Sequence, residues 1–122
     1  MKDIAEKEDR QNVIYKINCK NCNKAYIGET GQNIKNRIKQ HKYNVGSPKN
    51  INKTALANHA IKHTHGFDFS NVKVLSSEGN VKCRKIKEAI YITKNINETV
   101  NFRSDTQSIC NNYANIIHNL NI

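Results

Sequence analysis

A chain of 122 residues suffices for one domain with a modest core, and two folded units would each be too small. Its 20 Lys and Arg against 10 Asp and Glu leave a net charge of +10, which points to a polyanionic partner, nucleic acid first. There is no run of roughly 18 apolar residues, and the start MKDIAEKEDRQN is too acidic and polar for a signal or transit peptide, so membrane spans and secretion are disfavoured and an intracellular setting is expected.

Residues 1–11 carry mixed charge without hydrophobic pattern and read as a linker or disordered N-terminus, leaving 12–122 as a single domain. Val13 to Ile17 is β-branched and aromatic with alternation, Cys19 to Lys24 is a polar knuckle, and Ala25 to Gly28 resumes the apolar run. Two paired strands are predicted there. From Gln32 to about Tyr43, Ile34 and Ile38 recur at helical spacing among Lys, Arg and Gln, with Val45 continuing the pattern and Thr30-Gly31 as the leading turn. A basic amphipathic helix follows from this.

Asn44 to Lys53, holding the only proline, reads as a loop. Thr54 is placed to cap a short helix from Ala55 to about His63, which Gly66 would close. Val72 to Leu75 alternates and predicts a third strand. After the turn Glu78-Gly79-Asn80, Val81 to Lys94 is helical, with Ile86, Ala89, Ile90 and Thr93 as its buried stripe and Glu88 at the margin. Ile109, Tyr113, Ile116 and Ile117 suggest a last helix over 105–118, so the tail 105–122 is either helical or poorly ordered.

Four cysteines in a reducing compartment argue against two disulfides. Cys19-x-x-Cys22 has metal-ligand spacing, while Cys83 and Cys110 read as small buried residues. Tetrahedral zinc needs two further ligands, and His59, His63 and His65 lie close together. Spacing alone does not choose between His59 with His63 and His59 with His65. The stretch from Cys22 to His59 is far longer than the ~12–15 residues of a small DNA-reading finger, so the site would be a staple between hairpin and helix.

The runs Val13-Ile14-Tyr15 and Tyr26-Ile27-Gly28, with Arg37 and His41 one turn apart, then Glu88 and Asn101, resemble the GIY-YIG nuclease family in order, spacing and element type. The likeness runs from residue 12 to about 105 and is greatest to the endonuclease domain of Penelope-like retroelements, whose hairpin also carries a cysteine pair. The segments ALANHAIKHTHGFDFSNVKVL and RKIKEAIYI belong to that likeness. Val13 stands where the family pattern has glycine, and Arg37 lies one residue further from Gly28 than in many members; both departures fit the Penelope-like branch.

The resemblance implies an α/β (α+β) fold, a small three-stranded antiparallel sheet flanked by helices, with a zinc staple in which His59 pairs with His65. It also implies a DNA endonuclease using Mg²⁺ or Mn²⁺. Glu88 would bind the metal as a single carboxylate. Arg37 would clamp phosphate oxygens as a planar permanent cation, and His41 would share its helix face. Tyr15 and Tyr26 are the candidate bases, both open at this point. Asn101 would orient the site or the scissile phosphate, and Arg84 would pair with Glu88 or with DNA.

Lys35, Lys39, Lys42 and Lys85, with Arg84, are the expected DNA contacts, through phosphates, a term that carries little sequence information. By resemblance the domain would nick double-stranded target DNA, in the nucleus, to prime a retroelement's reverse transcriptase. It would then be an excised domain or a stand-alone remnant, and the sequence leaves monomer and dimer open. The rivals are a zinc-stapled nucleic-acid-binding module without activity and a repair or restriction nuclease of the same fold.

Overall fold

The computed structural model describes residues 10–102. The predicted segments 1–9 and 105–122, and with them Cys110, lie outside the described residues. Strand β1 (Val13–Asn18) is central, pairing antiparallel with β2 (Ala25–Thr30) on one side and β3 (Lys73–Ser77) on the other. Helices α1 (Ile34–Val45), α2 (Ala55–His63) and α3 (Val81–Lys94) complete the α+β domain, with 3₁₀ turns at Pro48–Asn50 and Ile96–Glu98.

Side chains alternate across a strand, and β1 uses both faces. Val13, Tyr15 and Ile17 point to one side with Tyr26, where Ile34 and Ile38 of α1 and Leu56 and Ala60 of α2 cover them. Ile14 points to the other with Ile27, closed by Ile92 of α3. The sheet is thus a middle layer, with α1 and α2 on one face and α3 on the other. A β-bulge interrupts the β1–β3 register after Ile14. The carbonyl of Leu75, which the bulge leaves without a partner in that register, accepts the Tyr91 hydroxyl at 3.3 Å.

Capping sets the helix limits. Asn33 accepts from Lys35 N at 2.8 Å, Thr54 from Ala57 N at 3.0 Å and Asn80 from Cys83 N at 3.0 Å, each relieving a donor that the first helical turn leaves unpaired. α1 therefore starts at Asn33, two residues after the leading turn expected at Thr30-Gly31. α2 ends at Thr64, which adopts the left-handed conformation at φ 55° that was assigned to Gly66. Thr93 departs from the expected stripe of α3: it is exposed and its hydroxyl bonds the Ala89 carbonyl, while Ile92 is buried in its stead.

The last residues of the expected linker are engaged with the fold. The Arg10 carbonyl accepts from Ile34 N at 2.9 Å, and its guanidinium donates to Ser77 Oγ. Cys83 is a free, half-buried thiol.

Candidate active site and metal cluster

Tyr15 and Gly28 face one another in the β1–β2 register. A Cβ on Gly28 would lie 2.6 Å from the Tyr15 hydroxyl oxygen and 2.8 Å from Tyr26 Cε2, far inside van der Waals contact. Only glycine lets the two phenols lie over β2. By contrast Val13, where the family pattern has glycine, is fully buried and packs in the core, so a side chain is accommodated there.

His41 of α1 is brought over this pair. Its Nε2 lies 2.7 Å from the Tyr15 hydroxyl, and its ring meets Tyr15 and Tyr26 edge-on with centroids 5.9 and 5.3 Å apart. Tyr15 and His41 are both 0% exposed, whereas Tyr26 keeps 8%. Burial, and then the positive charge of Arg37, lower the His41 pKa to about 3, so the imidazole is neutral. Burial, reinforced by Tyr26 and Glu88 and opposed by Arg37, raises the Tyr15 phenol well above its ordinary value. A phenolate is not preformed.

Arg37, one turn before His41, is half-buried. Burial lowers its pKa, but the nearby phenols more than offset this and hold it above the ordinary value. Its Nη1 donates to Gln40 at 2.8 Å. Glu88 belongs to the opposite helix layer, yet its charge reaches Tyr15. It shares a face of α3 with Ile92, four residues on, which packs on Ile14 and Ile27, so Glu88 too is turned to the sheet.

The other expected site residues take different positions. Arg84 is 6% exposed, and its guanidinium donates to Asn12 Oδ1 (3.2 Å), the Glu78 carbonyl (3.1 Å) and Glu29 (3.5 Å). It locks the N-terminal strap to β2 and α3 and is buried there. Asn101 is placed to orient the site through β2: its Nδ2 donates to the Ile27 carbonyl (2.8 Å) and its Oδ1 accepts from Ile27 N (3.0 Å). It acts as one more peptide unit on the edge of β2, positioning the strand that carries Tyr26 and Gly28. Lys35, Lys39 and Lys42 are exposed as expected. At about 100° per residue, however, they lie about 140–200° around α1 from Arg37, on the opposite flank.

The same hairpin carries a second cluster. Cys19 Sγ lies 3.5 Å from His65 Nδ1, Cys22 Sγ lies 3.4 Å from His59 Nε2, and the two histidine nitrogens are 3.1 Å apart. All four donor atoms fall within 4.8 Å of one another. Tetrahedral zinc with bonds of about 2.0–2.3 Å places its ligand atoms roughly 3.3–3.8 Å apart, so this Cys₂His₂ set can hold it. The αL turn at Thr64 selects His65, because it carries the chain off the helix and back over the knuckle. His63 stays on α2, exposed, with its ring 5.0 Å from His59.

Backbone bonds clamp the cluster. Lys20 N donates to the Gly66 carbonyl at 2.8 Å, Gly66 N to Asn21 Oδ1 at 2.7 Å, and Asn21 N to Cys19 Sγ at 3.5 Å. Burial raises the Cys19 thiol above its ordinary pKa while the Asn21 amide opposes that shift, and burial with the neighbouring His63, His65 and Lys24 lowers His59. A cation between them favours the deprotonated sulfur that ligation requires.

Two phenols over Gly28, an imidazole and a guanidinium from α1, and a carboxylate within electrostatic reach of Tyr15 make a set suited to a phosphodiester. The family model described as GIY-YIG catalytic domain matches residues 11–101, and the chain belongs to the GIY-YIG family. It is by class an endonuclease, a phosphodiester hydrolase. Searches of curated proteins and of solved structures return no match. Among the described residues no helix is long and apolar enough to cross a membrane.

Proposed function

We propose that this domain nicks double-stranded DNA with Mg²⁺ (or Mn²⁺) as catalytic cofactor, and that its zinc is structural. The observation that carries the reading is the 2.7 Å contact between the Tyr15 hydroxyl and a buried, neutral His41 beside Arg37. In the tautomer with a bare Nε2, Tyr15 takes the proton of the attacking water as its own passes to His41. A phosphate held at Arg37 neutralises the guanidinium that helps keep His41 unprotonated, so the imidazole becomes a better acceptor when substrate is bound.

Arg37 offsets charge on the pentacoordinate phosphate, and Tyr26 orients it. Glu88, a hard oxygen donor, suits a magnesium ion that keeps most of its water. When bound, that ion would polarise the phosphate and stabilise the leaving oxygen. One carboxylate implies one metal.

The biological setting proposed is a retroelement: nicks made in the nucleus would prime reverse transcription by a polymerase domain of the parent protein. The cysteine pair inside the hairpin and Val13 in the glycine position support the Penelope-like branch. Lys85, exposed on α3, is the proposed phosphate contact on the Glu88 helix.

Supercoiled plasmid nicking in Mg²⁺ tests the centre. Glu88→Ala and Arg37→Ala are each expected to slow nicking by about 10²–10³-fold with zinc retained, and Arg37→Lys should not restore it. Residual nicking equal in all variants would overturn the assignment.

A further inference from the structure

Beside the metal cluster lies an open groove of about 540 Å³, to whose lining Lys24, Asn58, Lys62, His63, Val100 and Phe102 contribute. Among the described residues no carboxylate lines it. Two thiolates neutralise a bound zinc, so Lys24 and Lys62 set the groove's charge and it favours an anion. His63, left out of the ligand set, keeps an exposed imidazole on its wall.

One wall of the groove is the strip 99–102, laid parallel on the outer edge of β2. Thr99 pairs with Ala25, Val100 N donates to the Ala25 carbonyl at 2.9 Å, and Asn101 brackets Ile27. At Ile27 the Asn101 side chain takes the place of the backbone ladder, and Phe102 follows it. The groove lies between this strip, the knuckle at Cys22 and Lys24, and the C-terminal part of α2.

Resting on the nuclease reading above, we infer that this groove binds an unpaired strand of the substrate, so that the preferred substrate is duplex DNA with a single-stranded flank. Phe102, 36% exposed at the mouth, offers a face on which a base stacks. Lys24, Lys62 and His63 hold the following phosphates, and Asn58 offers an amide to a base edge. A recess of this volume admits one or two nucleotides of a free strand; a stiff duplex cannot enter it. Aromatic stacking beside cations is the general chemistry of single-strand binding and carries little sequence preference.

The test measures binding by fluorescence anisotropy with zinc-loaded Glu88→Gln protein, at two salt concentrations. The probes are a blunt duplex and the same duplex with an unpaired flank of about four nucleotides. The flanked duplex is expected to bind more tightly. Phe102→Ala should remove roughly tenfold of that preference and Phe102→Tyr should restore it, with zinc content and Tm unchanged. Lys24→Ala with Lys62→Ala should weaken flanked binding and lower the salt slope by about 1–2. Removing the same charge as Lys35→Ala with Lys39→Ala should leave the preference intact.

Equal binding of the two probes overturns the inference. So does a preference untouched by Phe102→Ala, or one that emerges only after residues 103–122 are deleted, which would make the tail the occupant. Binding is read in protein that does not cut. A lost preference alongside normal plasmid nicking therefore removes the groove and leaves the nuclease reading, and the reverse result does the opposite.

Discussion

The β1–β2 hairpin supports two clusters that assemble for different reasons. At Tyr15, Tyr26, His41 and Arg37 the side chains are held by packing, a short hydrogen bond and the space over Gly28, all supplied by the protein itself. At Cys19, Cys22, His59 and His65 four metal-ligating atoms converge to 3.1–3.5 Å at their nearest contacts, an arrangement that suits a tetrahedral cation. One cluster is preorganised for a reaction, and the other can hold a metal that joins segments far apart in the chain. Stability and activity should therefore separate by cluster.

The sharpest break should come at the metal. Cys19→Ser, or chelation, should release about one zinc per chain and destabilise the domain by on the order of 3 kcal/mol or more, lowering Tm by roughly 10 °C or more. His63→Ala should keep both zinc and Tm. A stable metal-free preparation would erase the distinction between the clusters.

Acid probes the other side. The unfolded chain protonates His41 below pH 6.5, but the folded protein resists until about pH 3. Stability contributed by the neutral imidazole is therefore complete above pH 6.5 and lost as the pH falls towards 3, at up to about 1.4 kcal/mol per unit. Denaturant midpoints for the wild type and His41→Asn between pH 7 and 5, subtracted to cancel acid release of zinc, should diverge by about 2 kcal/mol. Parallel curves would mean that His41 titrates normally.

Gly28→Ala should strike the catalytic cluster alone. The added methyl group displaces the Tyr15 and Tyr26 rings, costing about 1–3 kcal/mol and most of the nicking activity, while zinc content stays at the wild-type value. The smallest effect expected is from Asn101→Ala. Losing the paired bonds to Ile27 should cost about 1–2 kcal/mol and raise amide exchange along the edge of β2, with zinc again unaffected.

Much of this was legible in the chain because the signals were local. Alternation in Val13–Ile17, the cap at Thr54, and the period of Val81–Lys94 each depend on neighbours within a turn or two. The misreadings share a cause as well. Arg84 has the spacing of a surface cation on a helix, but the strap at Asn12 and the Glu78 carbonyl turn it inward. Asn101 reads as a polar site residue, yet its amide completes a sheet edge 74 residues away in sequence. The groove at Lys24, Lys62 and Phe102 left no sequence signal, since its walls come from three separate segments.

By itself the sequence determined the strands, the helices, the family and the identities of the chemical groups, because these follow from periodicity, capping and an ordered set of residues. Only the tertiary structure decided between His63 and His65, turned Arg84 and Asn101 into positioning residues, and put Glu88 within electrostatic reach of Tyr15. Those outcomes depend on which atoms meet once the β1–β2 hairpin is covered on both faces, and contacts of that range leave no period in the chain.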